Sequence, residues 1–121
     1  MVTIDEAEIM LDEIAEEIPR AFYTNLNGGI LLLPEKKISD HARRQDLLIL
    51  GEYVRDSSMG RLIKIYYGSF QQIYGHLSPK AFKEQLRETL LHEFTHHVES
   101  LAGERGLEIW DEKQLEKYLR R

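Results

Sequence analysis

SPKAFKEQLRETLLHEFTHHVESLAG, residues 78–103, is the longest uninterrupted helical pattern in the chain. Ser78 offers a side-chain oxygen to the orphan N–H groups of a first turn. Pro79 fits that turn because the N–H it lacks would have no intrahelical partner there. No helix breaker follows until Gly103. Phe82, Leu86, Leu90, Phe94, His97, Val98 and Leu101 fall three or four residues apart, the stripe that a helix needs to bury one face.

Inside this helix stands His92-Glu93-Phe94-Thr95-His96-His97, which contains His-Glu-x-x-His. Residues four apart are separated by about 40° around a helix axis and about 6 Å along it, so the imidazoles of His92 and His96 can share one tetrahedral metal ion. The chain has no cysteine, which leaves His, Asp and Glu as donors. Zinc is the natural occupant, although iron, nickel and cobalt accept the same donors. Glu93 lies about 100° round from His92, near enough to address water at the metal but not placed as a further ligand of the pair. A carboxylate there takes a proton as water attacks a carbonyl and returns it to the leaving amine.

A catalytic zinc calls for a third protein donor. Glu99, seven residues after His92 and about 20° off its face, is the first choice, with an ordinary salt-bridge role as its alternative. Glu104, Glu108 and Asp111 are rivals, and water can stand in for all of them. His97 points toward the apolar stripe and is expected to be a packed, hydrogen-bonded core residue, not a ligand.

Working outward, Thr3 and Glu6 form a capping box ahead of Ile4, Ile9, Leu11, Ile14, Ala15 and Ile18, which predicts an amphipathic helix over about 4–18, ended by Pro19. Its acidic side, including Asp5, Glu8, Asp12 and Glu16, reads as a solvated face. Asn25 to Gly29 is rich in turn residues, and Ile30 to Leu33 before Pro34 predicts a short buried strand. Residues 38–46 read as a polar loop. Leu47 to Val54 and Arg61 to Tyr67 are β-prone runs joined by a hairpin at 55–60. His76, Tyr66, Tyr67 and Tyr74 fall in the strand and turn before the long helix; any one of them can be imagined at an oxyanion, but packing is the preferred role. A last helix is expected over about 111–120.

The fold class expected is α+β in one domain, 1–121: a small mixed sheet of about three strands against the long helix, with N- and C-terminal helices. At 121 residues, 42% hydrophobic and 31% charged, the chain suits a single self-supporting core. The net charge of -5 with dispersed Lys and Arg argues against nucleic acid as a partner. Asp5, Glu6 and Glu8 stand where a basic leader would be, and no apolar run approaches the ~20 residues that span a bilayer, so no membrane partner and a cytoplasmic location are expected.

The run Leu86 to Leu101, with its doubled histidine, resembles the bacterial minimal zincin metallopeptidase family. Leu26 to Pro34, Leu50-Gly51-Glu52-Tyr53, Ile65 to Phe70 and Glu99 to Gly103 are similar to it as well, so the resemblance spans nearly the whole chain. It implies a minimal zincin-like fold, a zinc cofactor on His92 and His96, Glu93 as catalytic base and a peptide or protein substrate. Members of that family carry a Gly three residues after the second His and an Asp three further on; here those positions hold Glu99 and Ala102. The third ligand is therefore left open. The expected function is a zinc-dependent metallopeptidase. A catalytically weak or inactive metal-binding regulatory or adaptor protein is the alternative. An extended peptide is expected to add to an exposed sheet edge at Leu62 to Tyr67.

Overall fold

The computed structural model describes residues 1–41 and 47–105, the last two as backbone. Helix α1 (Ile4–Glu17) opens at the capping box: the Thr3 hydroxyl accepts from the Glu6 N–H at 3.2 Å and the Glu6 carboxylate from the Thr3 N–H at 3.0 Å. It stops at Ile18, which is extended ahead of Pro19 because proline crowds a helical residue before it. After a short 3-10 turn at Arg20–Tyr23 come β1 (Gly29–Leu33), β2 (Lys37–Ile38), β3 (Leu48–Ile49), β4 (Gly51–Asp56), β5 (Gly60–Tyr66), α2 (Tyr67–Tyr74) and α3 (Pro79–Arg105).

Three strands make the sheet, in the order β1-β5-β4; β1 runs parallel to β5 and β4 antiparallel to it. This is a small mixed sheet in an α+β molecule, as composition and pattern predict. β2 and β3 pair separately as a two-stranded antiparallel ribbon. The β4–β5 hairpin turns at Asp56, whose carboxylate accepts from the Ser58 N–H, the Ser58 hydroxyl and the Met59 N–H. Those bonds push its pKa down to about 2. Gly60, with φ of +78°, supplies the left-handed conformation that closes the turn.

Several expectations are corrected. The single strand read over Leu47 to Val54 is broken at Leu50 into β3 and β4, and Ile38, read as loop, enters β2. Leu62 to Tyr67 is not a sheet edge: Leu62–Tyr66 belongs to β5, which lies between β1 and β4 with Leu62, Ile63 and Ile65 fully buried. A central strand has both rows of backbone groups engaged, so peptide addition there is excluded. Tyr67 to Tyr74, read as part of the strand and turn leading into the long helix, is helix α2. Tertiary packing overrides the propensity: Phe70 is fully buried and the Ser69 hydroxyl accepts from the Lys37 N–H at 3.0 Å. Gly68 lies so close to Glu35 that a Cβ would come within 2.5 Å of the Lys36 nitrogen. The closing helix expected over 111–120 and the loop segment 42–46 lie outside the described residues.

The core sits on one face of the sheet. Ala7, Leu11 and Ile14 of α1 and Phe82, Leu86, Leu90, Phe94 and Val98 of α3 close over Ile63 and Ile65 of β5. The predicted stripe of α3 is thus its buried side. Lys83 to Glu13 at 3.4 Å and Arg87 to Glu17 at 2.8 Å tie the rims of the two helices together, so part of the acidic side of α1 is paired. Among the described residues no helix is long and apolar enough to cross a membrane.

Candidate functional site

Because α3 buries the Leu90–Phe94–His97 side, residues about 100° away look out past the free side of β4. His92 and His96 are both exposed there. Their Nε2 atoms stand 3.1 Å apart, with the rings edge-on at 86°. Two imidazoles on one tetrahedral zinc, each with a Zn–N length of about 2.0–2.1 Å, hold their nitrogens roughly 3.3 Å apart. The pair therefore fits a shared metal ion with a few tenths of an ångström of adjustment.

Glu93 is the contrast, 6% exposed beneath the histidines. Burial raises its pKa above the ordinary carboxylate value, and Glu52 adds to this; positive charge on His92 or His96 and the Tyr53 backbone N–H, which donates to the carboxylate, work the other way. The direction of the Tyr53 N–H follows from strand geometry. Leu50 accepts from the Tyr66 N–H, so alternation along the antiparallel pair turns the Tyr53 N–H away from β5 and toward α3.

The Tyr53 ring is fixed in turn by His97, which is fully buried. The Thr24 carbonyl can only accept, so His97 Nε2 carries the proton and donates at 2.8 Å. Nδ1 then accepts from the Tyr53 hydroxyl at 2.8 Å. Burial lowers the His97 pKa and keeps the ring neutral. His97 is a bonded core residue, as its place on the apolar stripe predicts.

Two open cavities flank Glu93. The one on the His96 side, about 590 Å³, is lined by Glu52, Tyr53, Glu93, His96, Glu99 and Ser100. The one on the His92 side, about 380 Å³, includes Leu48, Ile49, Leu50, Tyr74, His92 and again Glu93. Glu52 was not singled out by its chemistry in the sequence. Burial alone would raise its pKa, but bonds from the Tyr66 hydroxyl at 2.6 Å and from Lys37 Nζ at 2.9 Å hold the carboxyl below its usual value. Its signal was the alternation in Gly51-Glu52-Tyr53, a polar residue on a strand beside the motif helix.

The structure thus brings His92, Glu93 and His96 together. Glu99 lines the same cavity as His96 but is exposed and is not assembled with the two histidines: among the described residues no group of three or more His, Cys, Asp or Glu side chains is placed to hold a metal ion. The side chain of Glu104 and all of Glu108 and Asp111 lie outside the described residues. Tyr66 is turned to Glu52, and the Tyr67 hydroxyl donates to the Val2 carbonyl. His76 is exposed on the chain leading to α3.

No family model matches the chain, and no curated protein matches it. With no three-donor metal group among the described residues, these findings overturn the resemblance to the minimal zincin metallopeptidases; four residues of motif and short similar runs were too little to carry a family. A solved structure of a conserved hypothetical protein from Thermo thermophilus is similar, at 31% identity and a TM-score of 0.71 over 84% of this chain and 99% of that one. At that identity and coverage, the chain belongs to the family of this conserved hypothetical protein.

Proposed function

We propose that the protein is a metal-dependent hydrolase of peptide bonds, with His92 and His96 as metal donors, Glu93 as general base and zinc as the metal. The observation that carries this reading is the 3.1 Å separation of the two Nε2 atoms directly beside a buried carboxylate. Zinc would supply Lewis acidity, acidifying water to a pKa of about 7 and polarising a carbonyl. The remaining work falls to the chain. The Tyr53 backbone N–H, on the side of β4 turned away from β5, favours the charged form of the Glu93 carboxylate. Burial makes that carboxylate a stronger base than one in water, suited to take a proton from attacking water and pass it to the leaving amine. β4, an outer strand of the sheet, borders the groove and offers an extended peptide a strand to lie against. A chain without cysteine suits the reducing cytoplasm.

The test is zinc per chain by elemental analysis, comparing the wild type with His92→Ala and His96→Ala, followed by hydrolysis of a denatured protein substrate. Near-stoichiometric zinc lost in either variant, with turnover lost but zinc kept in Glu93→Gln, is the expected result. Loss of zinc in Glu99→Gln would add that carboxylate to the donors. Zinc bound without turnover would favour a metal-binding regulatory or adaptor role, and no zinc in any form would end the reading.

A further inference from the structure

β4 is tied to α3 along its length. Gly51 lies so close to the helix that a Cβ there would stand 3.0 Å from Thr89 Cγ2. The Tyr53 hydroxyl donates to His97 Nδ1 at 2.8 Å, and Arg55 donates to the Ser100 hydroxyl at 2.9 Å. Gly51 to Arg55 covers about 14 Å of strand and Thr89 to Ser100 about 16 Å of helix, so the two elements run side by side and these ties fix their register. The middle tie reaches furthest: His97, fully buried, passes it on by donating from Nε2 to the Thr24 carbonyl at 2.8 Å.

Glu93 stands one turn before His97 on the same helix, about 40° round and about 6 Å along. Tyr53 therefore meets α3 twice, with its side chain at His97 and with the N–H that points away from β5 on the side of Glu93; Tyr53 and Glu93 line one cavity. Resting on the peptide-hydrolase reading, we infer that His97 is a positioning residue for the general base: through the Tyr53 hydroxyl it clamps β4 to α3, and the clamped Tyr53 N–H fixes where the Glu93 carboxylate stands beside the histidine pair. That N–H favours the charged carboxylate, the form a base needs. β4 has a strand neighbour on one side only, so its distance from the helix depends on ties across the seam. Packing alone does not ask for a hydroxyl and an imidazole here, because an apolar pair of the same shape fills the space with no polar atom to satisfy. Precision does ask for them, since a misplacement of about 1 Å at a reacting group costs roughly a hundredfold in rate.

Tyr53→Phe tests the clamp, because it keeps the ring and the N–H and removes only the hydroxyl. The first readout needs neither zinc nor turnover. In metal-free protein, Glu93→Gln is expected to move the amide proton of residue 53 upfield, and to move it severalfold less when Tyr53→Phe is also present. The second readout is zinc-supplemented hydrolysis of a denatured protein substrate. Tyr53→Phe is expected to lower kcat at least tenfold, with KM and zinc per chain unchanged. Ile14→Val, a buried change on α1 outside both cavities, lowers the melting temperature and leaves kcat as it was. If Tyr53→Phe does not give a folded amide spectrum, Gly51→Ala, which presses on the same seam at Thr89, takes its place with the same expectations. Unchanged kcat, a kcat loss matched by Ile14→Val, or an equal amide response in both backgrounds overturns the inference and leaves the hydrolase reading standing. If wild-type protein cuts nothing, that reading fails alone, and the amide comparison still decides whether His97 and Tyr53 hold the strand against Glu93.

Discussion

His96 and His97 are neighbours on one helix and have nothing else in common. His97 is fully buried with both ring nitrogens engaged, by Tyr53 and Thr24; His96 is exposed and faces His92 across 3.1 Å. One residue is a rotation of about 100°, and on α3 that rotation carries a side chain from the core to the groove. Residue type therefore says little here about role. The contrast between the two faces can be broken, or drawn more sharply, by substitutions on each.

The largest effect is expected on the buried face. Phe94 has no exposure, packs edge-on against Tyr23 with centroids 5.0 Å apart, and belongs to the core that α1 and α3 form over β5. Phe94→Ala should cost about 3–5 kcal/mol of unfolding free energy by denaturant titration, from lost transfer energy and the cavity left behind. A loss below about 1 kcal/mol would mean that α3 does not anchor this core.

The next test uses the neighbouring histidines directly. His97→Ala leaves the Tyr53 hydroxyl and the Thr24 carbonyl without their partner and opens a hole, so a loss of about 2–4 kcal/mol is expected. His96→Ala removes an exposed ring and should stay within about 0.5 kcal/mol in metal-free protein. Equal effects would erase the distinction between the two faces.

The fold was readable where one periodicity dominated. Thr3–Glu6 and Ser78–Pro79 announce their helices through capping chemistry that needs no tertiary partner, and the α3 stripe from Phe82 to Leu101 is its buried side. What was misread depended on contacts distant in sequence. α2 is helical because Phe70 and Ser69 dock onto the core and onto Lys37, and nothing within Tyr67 to Tyr74 encodes that. Strand order is also a long-range property: Leu62–Tyr66 became the central strand once β1 paired with it in parallel. In the site, His92, Glu93 and His96 were visible because helical spacing alone brings them together. Glu52 and Tyr53 were not, since only the β4–α3 approach sets them beside Glu93.

Protonation offers a smaller test of the same contrast. The folded-state pKa of His97 is lowered from its ordinary 6.5, so as pH falls below 6.5 the unfolded chain takes up a proton that the folded ring refuses, and stability is lost. The slope from this one group is at most about 1.4 kcal/mol per pH unit. Glu93 acts in the opposite sense: its folded pKa is raised above 4.5, so the folded state binds the proton more tightly and gains stability as pH falls through the raised value. Urea titrations at pH 7.5 and 5.5 should show His97→Leu losing less stability on acidification than the wild type. An unchanged difference would mean that His97 takes up its proton as readily in the folded protein as in the unfolded chain.

The weakest effect is expected where α3 is tied to α1 at the surface. Arg87 bonds Glu17 at 2.8 Å and Glu84 at 2.6 Å, a three-residue network with both carboxylates half exposed. Water competes for these charges, and holding three long side chains costs entropy, so the net contribution is of the order of 0.2–1 kcal/mol. Arg87→Met keeps most of the aliphatic stem and removes the charge, isolating the ionic part. Its cost should shrink toward zero in 1 M salt, where the screening length falls to about 3 Å. A loss above about 2 kcal/mol that persists in high salt would place Arg87 with Phe94 and His97 as a packing residue, and the boundary between the two faces of α3 would have to be moved.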